Sequence, residues 1–315
     1  MTITLEQLPF DPDNLFGKPL VEITQSSLSA FLACPQKFVL RYLMFLDTVK
    51  LSMPLLTGSA VHKGLEVFLD PEDVTPMENR VDRALRDALS VFDKAEERTD
   101  LLPVGMDDRL DIGRATACAL LEAWYILYSS DFERWKILHK EMKVRSEPDA
   151  TIHSPLEDRM AGMIDGIIQD EEGKVWILEH KTRSTFHGFS VAGLELDTQA
   201  LWYMILCKHV LKKKFGAGIN PLGFMYDGMV KPQHRLNSNG WRDLKERMKN
   251  ALLENPEKYF VVQPIPMDEA TVTIAREHFG RIVKAMDSLS AATVYRNTRA
   301  CADYGGCPYV PLCKI

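Results

Sequence analysis

The sequence predicts an α/β or α+β fold in one compact unit, and the order of its apolar patterns is the reason. Helical spacing runs through most of residues 26–134, short strand-like apolar runs occupy 135–237, and helical spacing returns from 238 to a cysteine-rich end. Neither an internal repeat nor a low-complexity linker divides the chain. Residues 1–315 therefore read as a single domain with a helical N-terminal region (1–134), a catalytic sheet core (135–237) and C-terminal helices with a cysteine tail (238–315).

Residues 1–22, with three prolines and four acids, read as an extended lead-in. From Ser26 onward Leu28, Phe31, Leu32, Phe38, Tyr42 and Phe45 give helical spacing, with Ser27 as a cap. Proline disfavours helix in the residue before it and suits a first turn, so Cys34-Pro35 splits this stretch into two helical pieces with Cys34 at the junction. A helix is expected from Thr57 to Asp70-Pro71, an amphipathic helix over 77–97, a loop over 98–106 and a helix over 108–131 with Ala115, Ala119, Leu120 and Trp124 in the core. Strands follow: Trp135–Ser146 with Glu141 at its centre, then a hairpin whose runs Gly162–Gly166 and Trp176–Lys181 flank the polar turn Gln169–Gly173. A helix over 196–214, strands at Pro221–Val230 and Pro232–Leu236, and helices over 240–254 and 267–289 complete the pattern.

Hydrophobic residues make up 46% and charged residues 26%, as in a folded protein with a sizeable core. A net charge of −6 excludes a globally basic nucleic-acid binder but leaves room for a local basic groove. No apolar run approaches the ~20 residues that span a bilayer, and the N-terminus lacks the basic start and apolar run of a signal peptide. No membrane partner and a cytoplasmic location are expected. In that compartment the six cysteines are expected as free thiols or metal ligands rather than disulfides.

The hairpin carries the densest chemistry. Strand side chains alternate, so Val175, Ile177, Glu179 and Lys181 share one face while Trp176, Leu178 and His180 take the other. An acid and a lysine on one face, with Asp165 on the neighbouring strand, can hold a hard divalent cation beside a fixed positive charge. That combination suits phosphodiester hydrolysis; a hairpin with two rim charges is the plain alternative. His62 and Glu66 are neighbours on one helix face and, taken alone, read as a surface pair. Arg183 and Lys174 are either phosphate contacts or solvated charges.

Cys118 and Cys207 lie inside apolar helical patterns and read as buried, inert thiols. Cys301, Cys307 and Cys313 stand among Gly and Pro, with too little apolar material to order the segment. A metal centre is expected there, with Cys34 as its fourth ligand. Four cysteines hold either structural Zn²⁺ or an iron–sulfur cluster. The absence of paired CxxC knuckles favours a 4Fe–4S cluster.

Taken in order, these pieces resemble the PD-(D/E)XK nuclease superfamily, in its RecB-like branch with an iron–sulfur cluster, which includes AddB-type nuclease domains and CRISPR-associated adaptation nucleases. The likeness runs from Ser26 to Cys313. Ser26–Pro35 is similar to the branch's opening motif, with Cys34 as first cluster ligand. Gly58-Ser59-Ala60-Val61-His62 is similar to the motif whose histidine binds the catalytic metal. Gly162-Met163-Ile164-Asp165 resembles motif II, Glu179-His180-Lys181 the (D/E)XK element, and Gln199-Ala200-Leu201-Trp202-Tyr203 the QxxxY motif. Two departures stand out. The tail is spaced C-x5-C-x5-C where better-known members have C-x2-C-x5-C, which leaves the cluster type open, and no P-loop of the form GxxxxGK(S/T) is present.

The resemblance implies a restriction-endonuclease-like core, a mixed central sheet flanked by helices. It further implies metal-assisted hydrolysis with Mg²⁺ or Mn²⁺ held by Asp165, Glu179, His62 and the main-chain carbonyl of His180. Lys181 would orient a water or offset developing charge. Glu141 would hold a water or second metal, and Gln199 and Tyr203 would contact the nucleic acid. The implied activity is exonucleolytic, on single-stranded DNA or DNA ends, with unwinding left to a partner such as a helicase. A non-catalytic iron–sulfur nucleic-acid-binding subunit of a recombination, repair or CRISPR adaptation complex is the alternative, and a sequence-specific endonuclease a third.

Overall fold

The computed structural model describes residues 20–46, 52–97, 106–146, 156–186, 190–215, 220–290, 293–302 and 306–313. Most of the expected lead-in and residues 98–105 of the expected loop over 98–106 lie outside them, and Met106 already begins a helix.

Strand β1 (Ile23–Thr24) runs directly into helix α1 (Gln25–Ala33). Thr24, not Ser27, is the cap: Ser27 N donates to Thr24 Oγ1 (3.2 Å) and Thr24 N donates back to Ser27 Oγ (3.0 Å), so Ser27 is the third helical residue of a capping box. Cys34 is extended (φ −165°, ψ 111°) between α1 and the short helix Pro35–Phe38, as the Cys-Pro step predicts. Helix α2 (Met53–Phe68) begins before Thr57 because Pro54 fits its first turn. Helices α3 (Val81–Glu96) and α4 (Met106–Arg134) follow close to their expected positions.

Strands β2 (Lys136–Arg145), β3 (Met160–Gln169) and β4 (Val175–Arg183) form the predicted meander, with β3 antiparallel to both neighbours. Helix α5 (Thr198–Phe215) crosses over to β5 (Gly223–Val230), which lies parallel to β4. Helix α6 (Gly240–Glu254), strand β6 (Phe260–Pro266) and helix α7 (Glu269–Asp287) complete the core. The sheet order is β1-β3-β4-β5-β6, with β2 on the other edge of β3.

Two expectations fail here. Residues 232–236 are irregular rather than a strand, consistent with Pro232 bringing no N–H to a ladder. The final strand is instead Phe260–Pro266, whose Pro264 and Pro266 hid it; it is an edge strand, where proline is tolerated. The sheet thus draws β1 and β6 from outside residues 135–237.

Alternation along β4 builds two cores. Val175 and Ile177 pack with Leu28, Trp202, Leu206 and Phe279 from α1, α5 and α7. Trp176 and Leu178 pack with Phe68, Trp124 and Met248 from α2, α4 and α6. Cys118 (2% exposed) and Cys207 (fully buried) lie in these layers, and burial pushes both thiols up, Cys118 to about 12. They are inert packing residues, as their apolar surroundings predict.

The second core contains one polar bridge. Asp227 of β5, wholly buried, accepts from Trp124 Nε1 (2.9 Å) and from His180 Nδ1 (2.6 Å), joining α4, β5 and β4. Replacing Asp227 with Ala strands two buried donors, and removal of one partner from a buried pair costs about 3–5 kcal/mol. We expect Asp227→Ala to lower the urea midpoint accordingly, with Asp227→Asn losing less because it keeps an acceptor. An unchanged midpoint for the alanine variant would show that the bridge contributes nothing to stability.

Candidate active site

The register between β3 and β4 ends at the Gly166–Leu178 pair, whereas β4 continues to Arg183 against β5 alone. The two strands therefore fork, and Asp165 stands in the opening. Its Oδ2 accepts the main-chain N–H of His180 (2.7 Å), supplying the partner that the interrupted ladder withholds. Its Oδ1 lies 3.2 Å from His62 Nδ1.

His62 reaches this point because α2 lies close on β4. A Cβ on Gly58, one turn earlier, would come within 3.0 Å of Thr182 Oγ1, so the glycine of the Gly-Ser-Ala-Val-His run sets the helix against the strand. Gly162 has a similar role on the other face. A Cβ there would stand 2.7 Å from the Tyr203 ring, so the motif II glycine seats that side chain.

Glu179 and Lys181 share a face, as alternation predicts, and their side chains meet at 2.6 Å (Oε1 to Nζ). Gln199 ties them together, accepting from Lys181 Nζ (2.7 Å) and donating to Glu179 Oε1 (2.9 Å). The resemblance implies nucleic-acid contacts for Gln199 and Tyr203, with packing on a helix face as the alternative for Tyr203. Here Gln199 orients the acid–lysine pair, and Tyr203 is 8% exposed against Gly162. His180 turns its ring away to Asp227, as the strand period requires. Lys174 pairs with Glu172 at the hairpin turn.

Electrostatics follow from this packing. Burial pushes Glu179 up to about 7, and the charge of Asp165 adds to the rise against the pull of Lys181. Burial acts to raise Asp165 as well, but the His62 hydrogen bond and charge, with the His180 N–H, hold it below the usual carboxylate range. Burial disfavours the charged His62 ring, yet Asp165 and Glu179 outweigh it and raise the imidazole above its ordinary value. Lys181 is likewise raised: Glu179 and Asp165 overcome its desolvation, and it stays charged.

A small cleft of about 10 Å³, room for about one water, is lined by His62, Glu66, Leu69, Glu141, Asp165 and His180. Glu141 is held up to about 7, first by a hydrogen bond to Glu66 and then by burial. The sequence shows Glu66 only as the helical neighbour of His62, and its place one turn on is the available signal. Asp227 escapes sequence reasoning, although a lone acid inside the apolar run Phe-Met-Tyr-Asp-Gly-Met-Val marks a buried partner.

At the chain ends Cys34, Cys301, Cys307 and Cys313 line one cavity of 180 Å³. Asn297 fixes the junction, donating its N–H to Cys34 Sγ (3.4 Å) and its Nδ2 to Ala33 O (2.7 Å). Among the described residues no three His, Cys, Asp or Glu side chains form a ready metal-binding group. At the fork the donors instead hold one another. Their chemistry, two carboxylates and an imidazole, suits a hard divalent ion. Among the described residues no helix is long and apolar enough to cross a membrane.

No curated protein matches this chain. The sequence profile of the PD-(D/E)XK nuclease superfamily matches residues 22–314, a span that takes in every strand of the sheet, the fork and all four cysteines of the tail cavity. With a forked mixed sheet holding Asp165 beside Glu179-His180-Lys181, the chain belongs to the PD-(D/E)XK nuclease superfamily.

Proposed function

We propose that this protein is a metal-dependent deoxyribonuclease that acts on single-stranded DNA or DNA ends. Superfamily membership points to a metal-dependent nuclease, and PD-(D/E)XK nucleases usually use Mg²⁺ or Mn²⁺. The observation that carries the reading is the burial of Glu179 within the field of Asp165, with Lys181 and Gln199 tied to it. Two carboxylates drawn together in a buried fork, balanced only by Lys181 and His62, make a favourable seat for a divalent cation. A chain that only bound nucleic acid would have no physical use for it, which weighs against the non-catalytic alternative.

Asp165 and Glu179 would hold the ion, with His62 and the main-chain carbonyl of His180 completing the protein ligands. Once bound, a divalent ion supplies Lewis-acid charge that acidifies water and offsets charge on the phosphate. The residues do the rest. Gln199 holds the Lys181 ammonium at the reacting position, where it orients the attacking water or meets charge developing on the phosphate. Glu141, sharing a hydrogen bond with Glu66 in the same cleft, is placed to hold a water or a second ion. Gln199 and Tyr203 act first as supports of the fork.

We read the cysteine cavity as the seat of a 4Fe–4S cluster and set the protein in the RecB-like branch. Zinc draws four sulfurs to about 2.3 Å from one point, whereas a cluster needs room between its ligands, and the four thiols surround a 180 Å³ space. A cytoplasmic nuclease without a P-loop would depend on free ends, single strands or a helicase partner.

Lys181→Ala and Asp165→Ala are each expected to reduce Mn²⁺-dependent loss of labelled single-stranded DNA by at least about 100-fold without unfolding the protein, although Asp165→Ala lowers the thermal midpoint by leaving the His180 N–H without its acceptor. Oligonucleotides blocked at the 5′ or 3′ end, and a circular control, read polarity and the need for an end. Full activity in both variants would remove the site.

The pH dependence has a definite sign. Glu179 and His62 both sit above their ordinary values, and both must lose a proton to bind metal. Mn²⁺ affinity, followed by calorimetry, should climb by roughly tenfold or more per unit as pH rises toward 7 and climb less steeply once Glu179 has ionised. Affinity that falls over that range would contradict the assignment of these ligands.

Protein purified without oxygen should be brown, with broad absorption near ~400 nm that Cys34→Ser removes. A colourless protein carrying one equivalent of zinc would overturn the cluster.

A further inference from the structure

The C-terminal end of β4 opens into a larger cleft of 530 Å³, walled by the start of α2, by α4 and by the segment that follows β5. Arg109, Arg183, Lys231 and His234 line it, and no Asp or Glu does among the described residues. That is unusual in a chain with 44 acidic and 38 basic residues. Several half-buried cations elsewhere are matched: Arg159 holds Asp287 (2.6 Å), and Lys245 and Lys249 share Glu122 (2.7 and 2.9 Å). The four side chains of the cleft make no salt bridge among the described residues. Lys231 donates only to a carbonyl, Pro54 O at 3.3 Å, and burial without a counter-charge lowers its pKa. A half-buried cation without a counter-charge is unfavourable on its own and favourable once an anion enters.

The position of the cleft says which anion. Arg183 lines both this cleft and the pocket that contains Glu179, Lys181 and Gln199. Lys231 N donates to Arg183 O (2.9 Å), so the two cations are joined through the backbone. Thr57, on the cleft wall, lies just over one turn before His62 on α2. A polyanion lying here would lead straight into the fork. The volume falls within the roughly 300–1,000 Å³ of pockets that enclose small ligands, so it admits a nucleotide and not a double helix.

We propose that the Arg109–Arg183–Lys231–His234 cleft carries the phosphate backbone of a single nucleic-acid strand to the Asp165–Glu179–Lys181 fork. The identity of the polyanion rests on the nuclease reading. The test is fluorescence anisotropy with a labelled single-stranded oligonucleotide, in EDTA so that nothing is cut, over a range of salt. Compared are the wild type, Arg109→Ala alone, the Arg109→Ala/Lys231→Ala double variant, and Lys284→Ala on exposed α7 as control. Expected are binding weakened by at least about tenfold in the double variant, a salt slope reduced by about 0.7 for each phosphate no longer neutralised, and no change in the control. Arg109 is exposed and safe to remove, so the single variant decides the matter if the double one fails to fold. Unchanged affinity and slope, no strand binding by the wild type at low salt, or a blunt duplex bound as tightly and weakened in parallel would each overturn the proposal. Cleavage by the wild type with Mn²⁺ is scored separately. Cleavage with cleft-independent binding removes the cleft and leaves the nuclease; cleft-dependent binding without cleavage does the reverse.

Discussion

From Glu179 to Arg183, β4 pairs in register with β5 alone, and the free edge is where the polar centre gathers. A strand that keeps both neighbours has its N–H and C=O groups consumed by the ladder. Here the part of β3 before Gly166 diverges from β4, so the His180 N–H needs another acceptor, and Asp165 provides it. The same bond aims the carboxylate, leaving its second oxygen for His62. The position of Asp165 is therefore set by a backbone requirement and not by the charge pairing alone. That explains how an acid can be held rigidly in a fork before any cation is bound.

Alternation then divides the labour of three consecutive residues. Glu179 and Lys181 face α5, where Gln199 joins them, while His180 faces α4 and is fixed by Asp227. The central residue of Glu-His-Lys thus anchors the strand from behind while its flanking residues meet Gln199 in front. Anchoring matters because Glu179 has been brought into a position that burial and Asp165 both make unfavourable for its charged form. Without the Trp124–Asp227–His180 bridge, a small shift of β4 would relieve that strain and scatter the site.

How much of this is legible in the residues differs by scale. The faces of β4 can be read because a period of two admits one answer once the strand is recognised. Helix ends are less legible: Thr24 rather than Ser27 caps α1, since both are good caps and only the backbone decides between them. Strand β6 is hidden by Pro264 and Pro266, whose tolerance depends on being at an edge, a property of the sheet and not of the segment. In the site, Asp165, Glu179 and Lys181 stand out in the sequence, His62 taken alone reads as a surface residue and gains its place from the family resemblance, and the structure brings all four together. Glu66 and Asp227 need the third dimension, because each gains its meaning from a residue on another element, Glu141 in one case and Trp124 in the other.

The chain ends pose a separate problem of entropy. Cys34 lies 263 positions before Asn297, and among the described residues their segments are joined by the two Asn297 bonds, by Gln36 N to Tyr295 O (3.2 Å) and Tyr309 Oη to Leu46 O (2.7 Å), and by packing of Val294, Tyr309 and Leu312 on the first core. Closing so long a loop is costly, although the cost grows only logarithmically with length, and a handful of hydrogen bonds worth about 1 kcal/mol each offsets little of it. The consequence reaches the fork. Cys34 ends α1, α1 is continuous with β1, and β1 pairs Ile23 and Thr24 with Met160 and Ala161 at the start of β3. β1 shares the β3 edge that β4 leaves, so it props the diverging half of the strand four residues before Asp165. A centre bonded to Cys34 and to the tail cysteines would hold α1, β1 and thus that half of β3 in place. With such a centre bound, the cavity of thiols and the carboxylate fork would be two ends of one mechanical connection.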